Sequence, residues 1–137
     1  MRTYICTKFV YAVPIAREVG TVKVDGYKVI YTDGHEDFIS KAVFEEDYHP
    51  STGMNFGLAI EAVKMGKKCR RAGWNGKNQH IELATRISYM TAGGVYMNVE
   101  HEAFGNKAIA FVGTSGVQMG WLASQADMLA EDWEIVE

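Results

Sequence analysis

One eight-residue stretch concentrates side chains that can recognise a nucleotide. Residues 70–77 read Arg-Arg-Ala-Gly-Trp-Asn-Gly-Lys, which brings two guanidinium groups, an indole and an amide together on a glycine-containing backbone. Trp74 can stack on a base and Asn75 can hydrogen-bond it, while Gly76 keeps the backbone permissive. Either Arg71 or Lys77 can hold a phosphate. The same residues also fit a tight turn with a core tryptophan, and spacing alone favours that interpretation.

A second stretch, residues 120–133, combines tryptophan with the start of a helix. Trp121 precedes Ser124-Gln125-Ala126-Asp127, which resembles a capping box. The free N–H groups of a helix start attract anions, so Ser124 and Gln125 would extend such a site. In the alternative interpretation, Ser124 and Asp127 only cap the helix and Trp121 fills the core, and spacing alone favours this too.

Motifs for catalysis and metal binding are not found. The sequence has neither a GxGxxG nor a Walker loop, no GxSxG elbow and no HExxH zinc signature. His80 alternates with Glu82 in a strand pattern, so we expect an exposed strand histidine rather than a metal ligand. The sequence therefore predicts no catalytic residues, no metal and no cofactor.

Composition restricts the class of protein further. The chain has 137 residues, of which 47% are hydrophobic and 23% charged, as in a globular domain. No run approaches the roughly 18 apolar residues of a membrane helix, and no signal peptide is recognisable, which predicts a cytoplasmic location. The formal charge of −3 disfavours long nucleic acids but not a small anionic ligand. Cys6 and Cys69 have no CxxC partner and are expected to be reduced and buried.

The chain divides near residues 48–53, where the sequence is Tyr-His-Pro-Ser-Thr-Gly. His-Pro disfavours helix, and the three residues that follow supply turn chemistry. We therefore expect a small, mostly β segment over residues 1–50 and a separate domain over residues 54–137.

The first segment is predicted to form a short sheet and one helix. Strands are expected where β-branched and aromatic residues concentrate, at Tyr4–Tyr11, Gly26–Tyr31 and His35–Ile39. Asp33-Gly34 predicts a hairpin with a type I′ turn between the last two. Ser40 is expected to cap a helix over Lys41–Asp47.

The second segment is predicted to be α+β, with one main helix packed on a small antiparallel sheet. Asn55 is the expected N-cap of that helix, and Gly66 its end. The apolar face has helical spacing, formed by Phe56, Ala59, Ile60 and Val63. Short strands are expected at Cys69–Arg71, Gln79–Ala84, Val95–Val99 and Ile109–Val112, with a last strand around Trp133–Ile135.

Three blocks of the second segment resemble the Thoeris anti-defence type two family of phages and prophages. They are Met54–Ala62, Arg71–Lys77 and Trp121–Trp133, and their order and spacing fit that family. The first segment is similar to a small module that precedes this domain in some phage proteins, at Gly26–Val29 and Val43–Glu46.

The resemblance implies a sponge rather than a catalyst. Members of the family sequester cyclic nucleotide signals that bacterial TIR-domain enzymes make from NAD, chiefly glycocyclic ADP-ribose. Some relatives also hold cyclic di- or trinucleotides of CBASS defence. The family assembles as homotetramers with ligands at subunit interfaces, so this chain is expected to act that way in the cytoplasm of the host bacterium.

Such a ligand has one adenine, two riboses and a pyrophosphate, and the resemblance assigns a residue to each part. Trp74 or Trp121 is the expected platform for the base, and Arg71 the partner of the phosphates. The remaining contacts are polar or permissive, from Asn75, Gly76, Ser124 and Gln125, with Asp127 either accepting from a ribose hydroxyl or capping its helix.

One departure from the family and two alternative functions stay open. Many relatives carry proline before the tryptophan of the last block, where this chain has Gly120, and this departure bears on ligand selectivity rather than on the fold. The alternatives are an enzyme that cleaves the same cyclic nucleotides and a phage structural or protein-interaction module, whose aromatic residues would form an oligomer interface.

Overall fold

The computed structural model describes residues 1–74, 78–97 and 107–137. The chain forms two compact units, Met1–Pro50 and Ser51–Glu137, called unit 1 and unit 2. Strands predominate and the helices are few and short, so the protein is α+β as predicted.

Unit 1 is a three-stranded antiparallel sheet with one short helix. The strands β1 (Tyr11–Val19), β2 (Val22–Ile30) and β3 (Glu36–Ser40) lie in that order, and α1 (Lys41–Asp47) packs against β2 and β3. Gly20, with φ +64, makes the turn between the two long strands. Because β1 lies at the sheet edge, Pro14 can stand within it without breaking the ladder.

The packing of unit 1 is centred on β2. Val29 is fully buried, and Tyr27 stacks on Phe44 of α1 with ring centroids 4.1 Å apart. Gly26 lies under the ring of Phe38, where a Cβ atom would come within 2.5 Å of the ring. By contrast, every residue of β1 is exposed.

Two predictions for the start of unit 1 are wrong. The strand predicted at Tyr4–Tyr11 is displaced, since β1 begins only at Tyr11. Its position is set by nine register pairs with β2, from Tyr11↔Ile30 to Val19↔Val22, which no local propensity encodes. Cys6 precedes this strand and is exposed, whereas Cys69 is buried as expected.

The hairpin and helix predicted after β2 are confirmed, but their local details differ. β2 pairs with β3 through residues 31–35, a connection too long for a two-residue type I′ turn. Only Gly34 in it has positive φ, at +90. The helix Lys41–Asp47 forms, yet the Ser40 side chain makes no capping hydrogen bond.

The described residues of unit 2 form a six-stranded antiparallel sheet, a two-stranded ribbon and two helices. In chain order the elements are β4 (Thr52–Met54), α2 (Phe56–Lys64), β5 (Lys68–Arg71), β6 (His80–Ala84), β7 (Tyr89–Met90), β8 (Tyr96–Met97), β9 (Ala108–Gly113), β10 (Gly116–Met119), α3 (Gln125–Leu129) and β11 (Trp133–Val136). The larger sheet has the order β10-β9-β6-β5-β11-β4, and β7 pairs with β8.

The helix α2 packs against β5, β6 and β11. Asn55 Oδ1 accepts from the Leu58 N–H at 2.9 Å, and Gly66 follows the helix with φ +87, which confirms both predicted ends. The buried helix side chains are Ala59, Ala62 and Val63. These small residues let the helix approach Cys69, whose Sγ lies 3.6 Å from the carbonyl oxygen of Ala59.

The predicted strands of unit 2 are largely confirmed as β5, β6, β9 and β11. Within the predicted Val95–Val99, Tyr96–Met97 is a strand and Val99 lies outside the described residues. The strands β4, β7 and β10 were not predicted, and they have two to four residues each. Among helices of the described residues, none has the length and apolarity to cross a bilayer.

His80 is buried, with 7% of its surface exposed, so its prediction as an exposed strand residue is wrong. It begins β6, which lies inside the sheet between β5 and β9. Its Nδ1 lies 2.6 Å from the carbonyl oxygen of Asn78. Position in the sheet, which the alternating pattern does not reveal, accounts for the burial.

Candidate functional site

Four aromatic residues of unit 2 meet in what we call the aromatic cluster: Trp74, Phe111, Trp121 and Trp133. The three indoles lie 5.3–6.2 Å apart between ring centroids and are tilted by 74–76° in edge-to-face pairs. Phe111 lies 5.4 Å from Trp74 and 6.4 Å from Trp121. Trp133 is fully buried and the other three are half-buried, so the cluster has a buried base and a partly accessible side.

The sheet brings these rings together from distant parts of the sequence. Trp133 begins β11 directly opposite Arg71 of β5. Trp74 follows β5 in a turn closed by its own N–H, which donates to the Arg71 carbonyl at 3.1 Å. Phe111 belongs to β9, so two strands of the sheet and the turn after a third supply three of the four rings.

Trp121 is held by the segment that follows β10. The N–H groups of Gly120 and Trp121 both donate to the Ile109 carbonyl, at 3.1 and 2.9 Å. Gly120 has φ +78, a conformation closed to proline, whose ring fixes φ near −65° and which has no N–H. The loop before Trp121 therefore cannot have this structure in a relative with proline at that position.

A polar cluster, the Arg71 clamp, adjoins the aromatic cluster and consists of Arg71, Asp127 and Asp132. Arg71 Nε donates to Asp132 Oδ1 at 2.9 Å, and Nη1 donates to Asp127 Oδ1 at 3.2 Å. The hydrogen bond to Asp132, followed by that to Asp127, raises the pKa of Arg71. The guanidinium is thus charged and already engaged by two carboxylates.

Asp127 connects the clamp to α3 and to the aromatic cluster. Ser124 Oγ accepts from the Asp127 N–H, and Asp127 Oδ2 accepts from the Ser124 N–H and hydroxyl, so the predicted capping box is confirmed. Burial opposes ionisation of Asp127, but the hydrogen bonds from Ser124 and Arg71 outweigh it and lower its pKa. The carbonyl of Asp127 also accepts from Trp133 Nε1 at 2.9 Å.

The structure brings most of the predicted site residues into one region. Arg71, Trp74, Trp121, Ser124 and Asp127 belong to the two linked clusters, and Gln125 is the exposed first residue of α3. Asn75 and Gly76 lie outside the described residues. A role of any of these residues in ligand binding stays a prediction.

Three residues of these clusters were missed as site candidates: Phe111, Asp132 and Trp133. Asp132 reaches Arg71 because β11 pairs with β5, and its carbonyl accepts from the Ala72 N–H at 3.0 Å. Sequence gives no signal for that register. For Trp133, a capping box six residues upstream of a strand-forming tryptophan is the one available hint, since its indole binds the carbonyl of the capping Asp127.

A half-open depression of about 240 Å³ lies at the end of β9 and β10. Its lining includes Phe111, which the depression shares with the aromatic cluster, and Gln118, which is paired with Phe111 across the strands. The same hairpin carries the predicted turn Gly113–Gly116. In the ranges that the structure describes, no three His, Cys, Asp or Glu side chains group as a metal site.

Comparison with known proteins identifies the family to which unit 2 is related. The model of the Thoeris anti-defense 2-like domain matches residues 54–136, more than half of the chain. The chain belongs to the Thoeris anti-defence 2-like family. A relative from Bacillus phage SP01, named Thoeris anti-defense 2, is 41% identical over 90 residues, which span 62% of this chain and 97% of the relative. The family resemblance inferred from the three sequence blocks is thereby confirmed.

The residues that the family model matches all lie in unit 2. The family model begins at residue 54, close to the start of unit 2, and so leaves out unit 1. Both the aromatic cluster and the Arg71 clamp lie within the matched residues. The similarity of residues 1–50 to a module of other phage proteins stays a prediction.

Proposed function

We propose that this protein is a phage anti-defence protein that binds and sequesters glycocyclic ADP-ribose, the signal of Thoeris TIR enzymes, without degrading it. The observation that carries the proposal is the aromatic cluster, in which two half-buried indoles rest on a fully buried third within the family domain. An adenine stacks well on such a surface, at about 1–3 kcal/mol per base.

The rigidity of the site supports tight binding. The backbone at Trp121 is fixed by the hydrogen bonds that Gly120 and Trp121 donate to Ile109, and the Trp133 indole by its hydrogen bond to the Asp127 carbonyl. A cyclic nucleotide is itself preorganised, so little conformational freedom is lost on either side. Nanomolar affinity, about 12 kcal/mol, is within reach of stacking and charge-assisted hydrogen bonds in an enclosed site.

The protonation state of Asp127 agrees with capture of the ligand without hydrolysis. Asp127 has a lowered pKa, and its two carboxylate oxygens accept hydrogen bonds from Arg71 and from Ser124. An ionised carboxylate that is committed in this way is a poor general acid. Asp127 therefore suits a structural and binding role better than the donation of a proton.

A homotetramer with ligands at its subunit interfaces is part of the proposal. Two exposed apolar side chains support it, because Leu122, which follows Trp121, is 87% exposed and Leu129 of α3 is 78% exposed. A second subunit that covers them would also close the accessible side of the cluster over a ligand. We place the assembly in the cytoplasm of the infected bacterium.

The test is ligand depletion followed by release. Purified protein is incubated with glycocyclic ADP-ribose, free ligand is measured, and the complex is heat-denatured. Stoichiometric return of unchanged ligand supports sequestration. Chemically altered ligand supports an enzyme instead, and undiminished free ligand supports a structural or interaction module.

Variants locate the site in the same experiment. Trp74→Ala and Trp121→Ala should each weaken binding at least tenfold through loss of stacking. Tyr96→Ala removes a 70% exposed aromatic side chain of β8 and serves as the control. If both tryptophan variants bind like the control, the aromatic cluster is not the site. Parallel titrations with CBASS cyclic di- and trinucleotides test whether a second ligand class binds.

A further inference from the structure

The charges of the Arg71 clamp do not suit a general phosphate site. One guanidinium faces the carboxylates of Asp127 and Asp132, so the three groups together carry one negative charge. An added phosphate would gain from Arg71 but be repelled by two acids at a similar distance. A site meant to maximise attraction for phosphate would leave the arginine without one of them.

The two carboxylates of the clamp differ in what else they do. Asp127 caps α3, and its carbonyl binds the Trp133 indole. The Asp132 carboxylate contacts Arg71. The Asp132 side chain is 39% exposed, whereas the Asp127 side chain is 15% exposed. Asp132 can therefore change its charge with less effect on the fold.

Asp132 is nevertheless held firmly beside the site. Its carbonyl accepts from the Ala72 N–H at 3.0 Å, and the next residue, Trp133, is paired with Arg71 across the strands. Its carboxylate thus has a fixed place next to the guanidinium and to the aromatic cluster.

We propose that Asp132 is a specificity-determining residue that excludes linear nucleoside di- and triphosphates from the aromatic cluster. The inference rests on the proposed function. A cell contains abundant adenine nucleotides, which offer the same base for stacking and more phosphate charge than a cyclic ligand with one pyrophosphate. By offsetting the charge of Arg71, Asp132 penalises the more highly charged competitors most, so selectivity comes from repulsion as well as attraction.

The experiment compares Asp132→Asn with Glu131→Gln. Asparagine keeps an oxygen that can accept from Arg71 Nε but removes the charge, whereas Glu131 is the exposed neighbouring carboxylate and its variant makes the same charge change. ATP, ADP and glycocyclic ADP-ribose are titrated against full-length wild type and both variants, at about 0.02 M and about 0.2 M salt.

We expect Asp132→Asn to bind ATP on the order of tenfold tighter than wild type at low salt, with a smaller gain for ADP and the smallest for the cyclic ligand. The gain should shrink at the higher salt concentration, and Glu131→Gln should match wild type. Equal ATP affinity in all three proteins, or an equal gain for all three ligands, overturns the inference.

Folding and function are separated by two further measurements. Thermal unfolding shows whether Asp132→Asn is folded, and Asp132→Ser, which also lacks the charge, replaces it if not. Wild type that fails to bind the cyclic ligand contradicts the proposed function. Wild type that binds it, with no gain of ATP affinity in either variant, contradicts only the role of Asp132.

Discussion

The two units use β-structure in opposite ways. Unit 1 has the two longest strands of the described chain, nine residues each, yet Val29 is its one buried hydrophobic side chain and β1 is exposed throughout. The strands described in unit 2 have two to six residues, and most of the described core belongs to this unit: Met54, Ala59, Ala62, Val63, Cys69, Ile81, Ala110 and Trp133. Burial, rather than strand length, distinguishes the unit that holds the candidate site.

The comparison shows where a rigid site can form. In unit 2 a helix covers the sheet, and buried side chains fix the backbone from which the aromatic cluster and the clamp extend. In unit 1 large apolar side chains remain at the surface of the hairpin, among them Tyr11, Val13, Val19 and Val22. We expect perturbations of equal size to have unequal effects in the two units.

The largest difference should come from removing one aromatic side chain from each unit. Trp133→Ala leaves a cavity in the core and should lower the free energy of unfolding by about 3–5 kcal/mol. Tyr11→Ala, at a residue that is 77% exposed, should change it by less than about 0.5 kcal/mol. Urea unfolding followed by circular dichroism measures both, and comparable losses would contradict the contrast in burial.

The two cysteines allow the two units to be compared through the pH dependence of stability, because Cys69 of unit 2 is buried and Cys6 of unit 1 is exposed. Burial raises the pKa of Cys69 from 9.0 to about 11. Between those pH values the unfolded thiol loses its proton and the folded one keeps it, so stability should fall with rising pH, by about 2–3 kcal/mol in total. Cys69→Ala should abolish this part of the pH dependence, while Cys6→Ala, which changes an exposed thiol, should leave it intact.

A smaller effect is expected from the capping aspartate. Asp127→Ala removes the capping box and one side of the clamp, and should cost about 1–2 kcal/mol near neutral pH. Because the folded pKa of Asp127 is lowered, its contribution is present above about pH 4 and is lost as pH falls through the folded value. Asp25→Ala, at an exposed carboxylate of β2, is the control in acid titrations of stability. If Asp127→Ala and Asp25→Ala show the same change of stability with falling pH, Asp127 has no special role in that pH dependence.

The smallest effect should follow deletion of residues 1–50. All three tryptophans of the sequence lie in unit 2, so intrinsic fluorescence reports on that unit alone. The match to the phage SP01 protein takes up 97% of that relative within 90 residues, which supports a domain that folds without unit 1. The fluorescence-detected unfolding midpoint should stay the same, and a large decrease would show that unit 2 depends on unit 1.

Sequence predicted best what is encoded locally. Asn55 and Gly66 delimit α2, and Ser124 with Asp127 caps α3, because each signal lies within a few residues of the bond it forms. Ser40 is an exception, because it precedes α1 but its side chain makes no capping hydrogen bond. The N-terminal strand was misplaced because its bounds depend on register with β2 rather than on composition.

The site was predicted in part for the same reason. Trp74 and Trp121 stood out through their neighbours in sequence, but the partners that orient the site come from elsewhere in the sheet. Asp132 lies 61 residues from Arg71, and only the pairing of β11 with β5 joins them. Arg71 was expected to meet phosphate directly, and its two carboxylate partners could not be inferred without that pairing.

The crossed arrangement of the three indoles has an optical consequence. Rings 5.3–6.2 Å apart and steeply tilted couple their electronic transitions, so the cluster should give an exciton contribution to the far-ultraviolet circular dichroism. Replacement of any one tryptophan by phenylalanine should remove most of that contribution. The geometry of the candidate site can therefore be followed in solution without a label, including while a ligand is added.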